Sequence, residues 1–146
     1  MKKTLCMLGL SVLVTSIWLG RQAVGETKMP MQAVVFASAN TAHFKAVVPG
    51  VSKSVLWGDH DKGPYGAFTK FAPGVDNGMH THTHPVRIVV LKGAYLYKDE
   101  KGAKRVGPGD FILVPAAKKH WSGGDKKEGA LFYEESPGKF DLTPVH

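Results

Sequence analysis

Short apolar runs separated by Gly and Pro are the feature that most restricts the fold of this chain. Beyond residue 40 the runs are rich in Val, Phe, Tyr, Leu and Ile, and turns containing Gly and Pro interrupt them at 49–50, 73–74 and 107–109. Strands bounded by such turns are typical of β-sandwiches and β-barrels. No long segment has the 3.6-residue periodicity of a helix. The sequence therefore predicts an all-β fold.

Eight strands can be placed on these runs. The apolar and β-branched segments predict strands over residues 54–57, 66–71, 78–84, 87–91, 94–97, 104–106, 111–114 and 130–134. The charged segment 98–102 ends in a glycine and predicts a hairpin turn between two of these strands. Residues 26–45 are expected to form an N-terminal arm with one short strand over 33–37.

The N-terminus has the pattern of a secretory signal peptide. Lys2 and Lys3 precede an apolar run over 5–19 that is short for a membrane span, and small residues follow it. We expect residues 1–25 to be a signal peptide and 26–146 to be one exported domain, periplasmic or secreted. The alternative is an uncleaved N-terminal anchor. After cleavage no membrane association is expected.

Composition excludes two classes of function. Cys6, the one cysteine, lies in the removable segment, so the mature domain has no thiol for catalysis or metal binding. The formal charge of +7 falls to +4 when Lys2, Lys3 and Arg21 are removed. The remaining Lys and Arg form no long basic stripe, so nucleic-acid binding is not expected.

Four of the seven histidines lie in two places: His80, His82 and His84 alternate along one predicted strand, and His120 follows about forty residues later. Alternate side chains on a strand point to the same face. Several buried imidazoles need hydrogen bonds or a metal ion to satisfy their ring nitrogens. The pattern therefore predicts a metal site, the alternative being a solvated edge strand that carries histidines.

Two motifs in this chain resemble those of the cupin superfamily, and specifically its small, uncharacterised single-domain branch. The first is Gly74, five residues, His80-x-His82 and a closing Gly93; the second is Gly109, the apolar strand that follows, Pro115 and His120, with Ala117 in place of the usual glycine. The motifs cover roughly residues 66–124. This resemblance implies a single cupin barrel (a double-stranded β-helix, or jelly-roll) that holds one divalent metal ion through His80, His82 and His120.

The chain departs from the cupin pattern at one ligand. The family's usual glutamate falls on Val86, which cannot bind a metal. Three outcomes stay open: a three-histidine site with free coordination positions, a fourth ligand from His84, or a carboxylate such as Glu134, which is also a candidate base. The first resembles the iron sites of some cupin dioxygenases. Iron is favoured by that analogy, while Zn, Mn, Ni and Cu remain alternatives.

The partner expected at such a site is a small organic ligand or substrate. Candidate pocket residues are Arg87, Trp121, Tyr95 and Phe111, each of which is as well explained by the core or the outer sheet surface. The leading hypothesis is a metal-dependent enzyme, oxygenase-like or isomerase-like. The alternative is a nonenzymatic module that binds a metal or small ligand. A third hypothesis is an interaction protein that forms a homodimer through its N-terminal arm.

Overall fold

The computed structural model describes residues 34–145, which form eleven β-strands and no helix. The strands are β1 Lys45–Val48, β2 Val51–Gly58, β3 Tyr65–Phe71, β4 Asp76–Thr81, β5 Val86–Gly93, β6 Tyr95–Asp99, β7 Gly102–Val106, β8 Phe111–Val114, β9 His120–Gly124, β10 Ala130–Ser136 and β11 Thr143–Pro144. Residues 34–145 contain no helix that could cross a membrane.

The strands form two antiparallel sheets. One sheet has six strands in the order β1-β2-β3-β10-β5-β8, and the other has five in the order β11-β4-β9-β6-β7. Successive strands therefore often belong to different sheets, as in a jelly-roll. The prediction of an all-β jelly-roll is confirmed.

The core lies between the inner faces of the two sheets. In β10, Ala130, Phe132, Glu134 and Ser136 are buried while the residues between them are less so, because side chains of a strand alternate between its two faces. Phe132 packs edge-to-face against Tyr95 of the other sheet, with ring centroids 5.4 Å apart. Apolar residues fill this part of the barrel, and polar side chains collect around the histidines.

Most predicted strands are confirmed with longer boundaries, and the hairpin turn within 98–102 is present between β6 and β7. Two predictions are wrong. Residues 34–37 form no strand, and the strand expected over 78–84 ends at Thr81. Pro85 follows closely, and proline restricts the conformation of the preceding residue and removes a backbone donor.

Three strands, β1, β9 and β11, were not predicted from the sequence. The predicted signal peptide lies outside the described residues.

Candidate metal centre

His80, His82 and His120 meet in the barrel interior. His80 on β4 is directly opposite His120 on β9, and His82 follows β4 by one residue. All three residues are buried. The ring centroid of His80 lies 4.9 Å from that of His82 and 4.2 Å from that of His120. One nitrogen of each ring lies within 4.8 Å of a nitrogen of the other two.

Backbone carbonyls fix the protonation pattern of these rings. Each Nδ1 lies within hydrogen-bond distance of a carbonyl oxygen, which can only accept. Nδ1 must therefore carry the proton, and Nε2 keeps its lone pair. Nε2 of His120 is buried and has no hydrogen-bond partner among the described residues. The carbonyls belong to Gly78, Asp141 and Lys118, at 2.9, 2.6 and 2.9 Å from His80, His82 and His120.

Burial also keeps the three imidazoles neutral. Removal from water lowers the pKa of His80, His82 and His120, and the backbone hydrogen bonds oppose this only in part. Neutral imidazoles with free Nε2 lone pairs are the form that binds divalent transition metals. The three histidines can therefore hold a metal ion. Such an ion would also satisfy the buried lone pair on Nε2 of His120, which has no hydrogen-bond partner among the described residues.

Two neighbours fix the position of His120. The Tyr97 ring stacks on the His120 ring, with centroids 5.4 Å apart and an interplanar angle of 19°. The turn before β9 contains Ala117, whose φ of +57° lies in the left-handed region and whose N–H donates to the carbonyl of His82 at 2.8 Å. Glycine adopts this conformation more easily, which explains why the cupin motif usually has glycine here.

A small cavity of about 40 Å³ is lined by His80 and His82. Its opposite wall carries a buried ion pair between Nζ of Lys53 and Oε1 of Glu134, and Tyr65 donates its hydroxyl to the same Oε1 at 2.8 Å. Burial lowers the pKa of Lys53 to about 7, while the adjacent carboxylate acts in the opposite direction because it favours the ammonium form. Sequence reasoning missed Lys53 and Tyr65.

The C-terminal segment closes this cavity. The Phe140 ring lies over Nζ of Lys53 at 3.8 Å, and Leu142 also lines the cavity. Asp141 accepts a hydrogen bond from the backbone N–H of Thr83 at 2.8 Å, and β11 pairs with β4. The segment therefore contributes both a cover and, through its backbone, the orientation of His82.

The two candidate fourth ligands lie outside the histidine group. His84 follows the end of β4, and its ring lies against Gly138. His84 therefore does not join His80, His82 and His120, although the expected strand alternation placed it on their face. Glu134 does line the cavity, but its Oε1 is engaged by Lys53 and Tyr65. Val86 lines the cavity as well.

Of the four candidate pocket residues, Tyr95 alone lines the cavity. Arg87 alternates with buried Val86 and Ile88, so it faces outward, where its Nη1 lies 3.9 Å from Oε1 of Glu135. Trp121 points away from the interior because its neighbour His120 points in, and its indole N–H donates to Asp76 at 2.6 Å. Phe111 is 60% exposed on β8. None of these three residues lines the interior cavity.

Two larger hollows, of about 970 and 840 Å³, lie on the surface beside β1. No histidine of the buried group lines either of them. Size alone therefore does not identify the site, and the chemistry of the lining residues favours the small interior cavity.

Comparison with known proteins agrees with this architecture. Residues 32–137 match the family described as ChrR Cupin-like domain. The polyketide cyclase RemF from Streptomyces resistomycificus is similar with a TM-score of 0.65 and 17% identity, over 78% of this chain and 87% of that chain. KdgF from Halomonas sp. is similar with a TM-score of 0.59 and 21% identity, over 73% and 94%.

An RmlC-like cupin from Shewanella frigidimarina is similar with a TM-score of 0.57 and 21% identity, over 73% of this chain and 93% of that chain. No curated protein sequence gives a significant match. At these identities the solved structures show a shared fold.

Proposed function

The chain belongs to the ChrR cupin-like family, and from that premise we propose that it is an exported, metal-dependent enzyme acting on a small organic molecule. The observation that carries the proposal is the convergence of three neutral histidines, with Nδ1 of each held by a backbone carbonyl. Among residues 34–145 no fourth His, Cys, Asp or Glu joins the group. Coordination positions are thus left for substrate.

A bound divalent ion would supply Lewis acidity and, if it is iron, dioxygen chemistry. The chain's own residues would do the rest. His80, His82 and His120 would hold the ion through Nε2, and the buried wall opposite them would exclude water from the reacting groups. The proposed reaction class is oxygenase-like or isomerase-like, and iron is the proposed metal by analogy with three-histidine cupin sites.

The size of the cavity sets a condition on this function. About 40 Å³ accommodates little more than one water molecule beside an ion. A larger organic molecule must therefore displace part of the wall. The segment around Phe140 and Leu142 is the part held by the fewest strand pairings, because β11 has two residues. We propose that it moves when substrate enters.

A metal screen tests the proposed function. Apo-protein would be loaded separately with Fe, Mn, Ni, Cu or Zn and offered diketones, thiols and phenols while oxygen uptake and product formation are followed. Turnover that needs the metal and is lost in a His80→Ala, His120→Ala variant is the expected result. Metal-loaded protein that converts none of these compounds would contradict an enzymatic role.

The small cavity favours a second candidate, a nonenzymatic module that binds a metal or a small ligand. As a module that only holds a metal, the protein would have a centre closed to ligand exchange. Azide or nitric oxide added to the metal-loaded protein discriminates the two functions by spectroscopy. If the protein is an enzyme, azide or nitric oxide should rapidly displace the metal-bound water and change the spectrum. If it is a binding module, the spectrum should stay unchanged.

A further inference from the structure

The buried Lys53–Glu134 pair is poorly explained as a stabilising contact. Lys53 is 3% exposed and Glu134 is 4% exposed. Taking two charges out of water is costly, and apolar residues of similar volume often serve a core equally well or better. Ionisable groups kept in a cavity beside a candidate centre more often have a chemical role. The pair lines the same cavity as His80 and His82.

Lys53 and Tyr65 contact the same oxygen of the Glu134 carboxylate. Nζ of Lys53 and the hydroxyl of Tyr65 both bind Oε1 of Glu134, so Oε2 is free of both. A cation and a donor on the same carboxylate favour its ionised form. The rings of Phe140 and Tyr65 lie 3.8 and 5.2 Å from the ammonium, so aromatic faces cover Lys53 and Glu134 is its charged partner.

We propose that Glu134 is the proton-accepting residue of this cavity, that Lys53 is its positioning residue, and that the substrate is a small enolisable 2-oxo acid. This inference rests on the proposed function. Three neutral histidines leave the full charge of a divalent ion uncompensated, which suits an anionic compound with two adjacent oxygens. Glu134 is the carboxylate lining that cavity.

The step balances without an oxidant or reductant. The C–H bond next to the carbonyl breaks, its proton goes to Oε2 of Glu134, and its electron pair forms a carbon–carbon double bond. The carbonyl oxygen becomes an enolate oxygen on the histidine side of the cavity. Return of the proton to carbon regenerates the carboxylate. Such a step belongs to isomerisation and related carbon-acid reactions.

Solvent exchange measures this step directly. The full chain would be loaded with zinc, which has no redox chemistry, and given pyruvate in deuterium oxide, with loss of the methyl proton signal followed by NMR. We expect exchange by the wild type and a loss of about 100-fold or more in Glu134→Gln. Glu135→Gln is the matched control, because that side chain lies on the outer face. It should exchange at the wild-type rate.

Lys53→Met tests the positioning role through its pH profile. We expect a slower rate and an acid limb moved to higher pH, because the carboxylate loses the cation that favours its ionised form. Lys53→Arg should restore much of the wild-type profile. If Lys53→Met fails to fold, the double variant Lys53→Met, Glu134→Gln removes both charges; it should bind zinc and exchange no protons.

The outcomes separate this inference from the proposed function. Wild-type exchange in Glu134→Gln, or a zinc-loaded wild type that binds pyruvate without exchanging its protons, would overturn the role of Glu134 and leave the metal centre standing. An unchanged pH profile in Lys53→Met would overturn the role of Lys53. A wild type that binds no zinc would overturn the metal centre and this inference together.

Discussion

Nδ1 of His82 donates to the backbone carbonyl of Asp141 at 2.6 Å, a contact between residues 59 positions apart. The carboxylate of the same Asp141 accepts a hydrogen bond from the backbone N–H of Thr83. Two hydrogen bonds therefore join Asp141 of the C-terminal segment to the adjacent residues His82 and Thr83. Hydrogen bonds that orient a metal-binding histidine commonly contribute 10-fold to 100-fold to metal affinity. The C-terminal segment is therefore part of the candidate centre.

Asp141→Ala should weaken metal binding by about tenfold or more, because the carbonyl that orients His82 loses its anchor to Thr83. Competition with a chelator of known affinity measures the change. Asp61→Ala, at an exposed carboxylate on another loop, is the control. Equal affinity in wild type and Asp141→Ala would contradict this role of the segment.

Val86→Glu should add a fourth ligand. Val86 is buried and lines the cavity beside the histidines, at the position of the usual cupin glutamate. We expect tighter metal binding and slower azide binding, since the carboxylate would occupy a free coordination position. The apo-variant should lose stability, because an unpaired buried carboxylate is costly. Azide binding that matches the wild type would argue against a carboxylate reaching the ion.

The apo-protein should lose stability in acid. Burial lowers the pKa of the three histidines below the ordinary value of 6.5. Below that pH the unfolded chain binds more protons than the folded one, so the free energy of unfolding falls as pH drops. Thermal unfolding between about pH 8 and pH 5 checks this. The slope should be smaller in a variant with glutamine at all three positions, and an equal slope would refute the assignment.

Phe140→Ala should speed ligand entry. The ring covers the Lys53 ammonium, a contact worth about 1–2 kcal/mol when shielded from water. Without it the closed segment should open roughly tenfold more often. Stopped-flow binding of azide to cobalt-loaded protein measures the rate. Phe111→Ala, on an exposed strand, should leave the rate unchanged, and an unchanged rate in Phe140→Ala would contradict gating by this segment.

Local signals allowed the barrel and the histidine group to be predicted. The alternation of His80 and His82, and the glycines around them, depend on neighbours in sequence. Trp121 and Arg87 are predicted pocket residues, but alternation along their strands places both side chains away from the interior cavity: Trp121 adjoins inward-facing His120, and Arg87 lies between two buried apolar residues.

The opposite wall was harder to predict because its partners are distant in sequence. Lys53 and Glu134 are 81 positions apart, and nothing near either one identifies the other. The sequence predicts this strand only from residue 54, whereas β2 begins at Val51 and places Lys53 on the same buried face as Val51. The closure by Phe140 depends on the path of the C-terminal segment, for which the sequence has no local pattern.

Metal content is the measurement that tests the central claim most directly. The protein would be purified from its native compartment without an affinity tag, beside a His80→Ala, His120→Ala variant and a His84→Ala control, and analysed for metals. The account predicts about one equivalent of one divalent metal in the wild type and in His84→Ala, and none in the double variant. Equal metal content in wild type and double variant, or none in either, would contradict it.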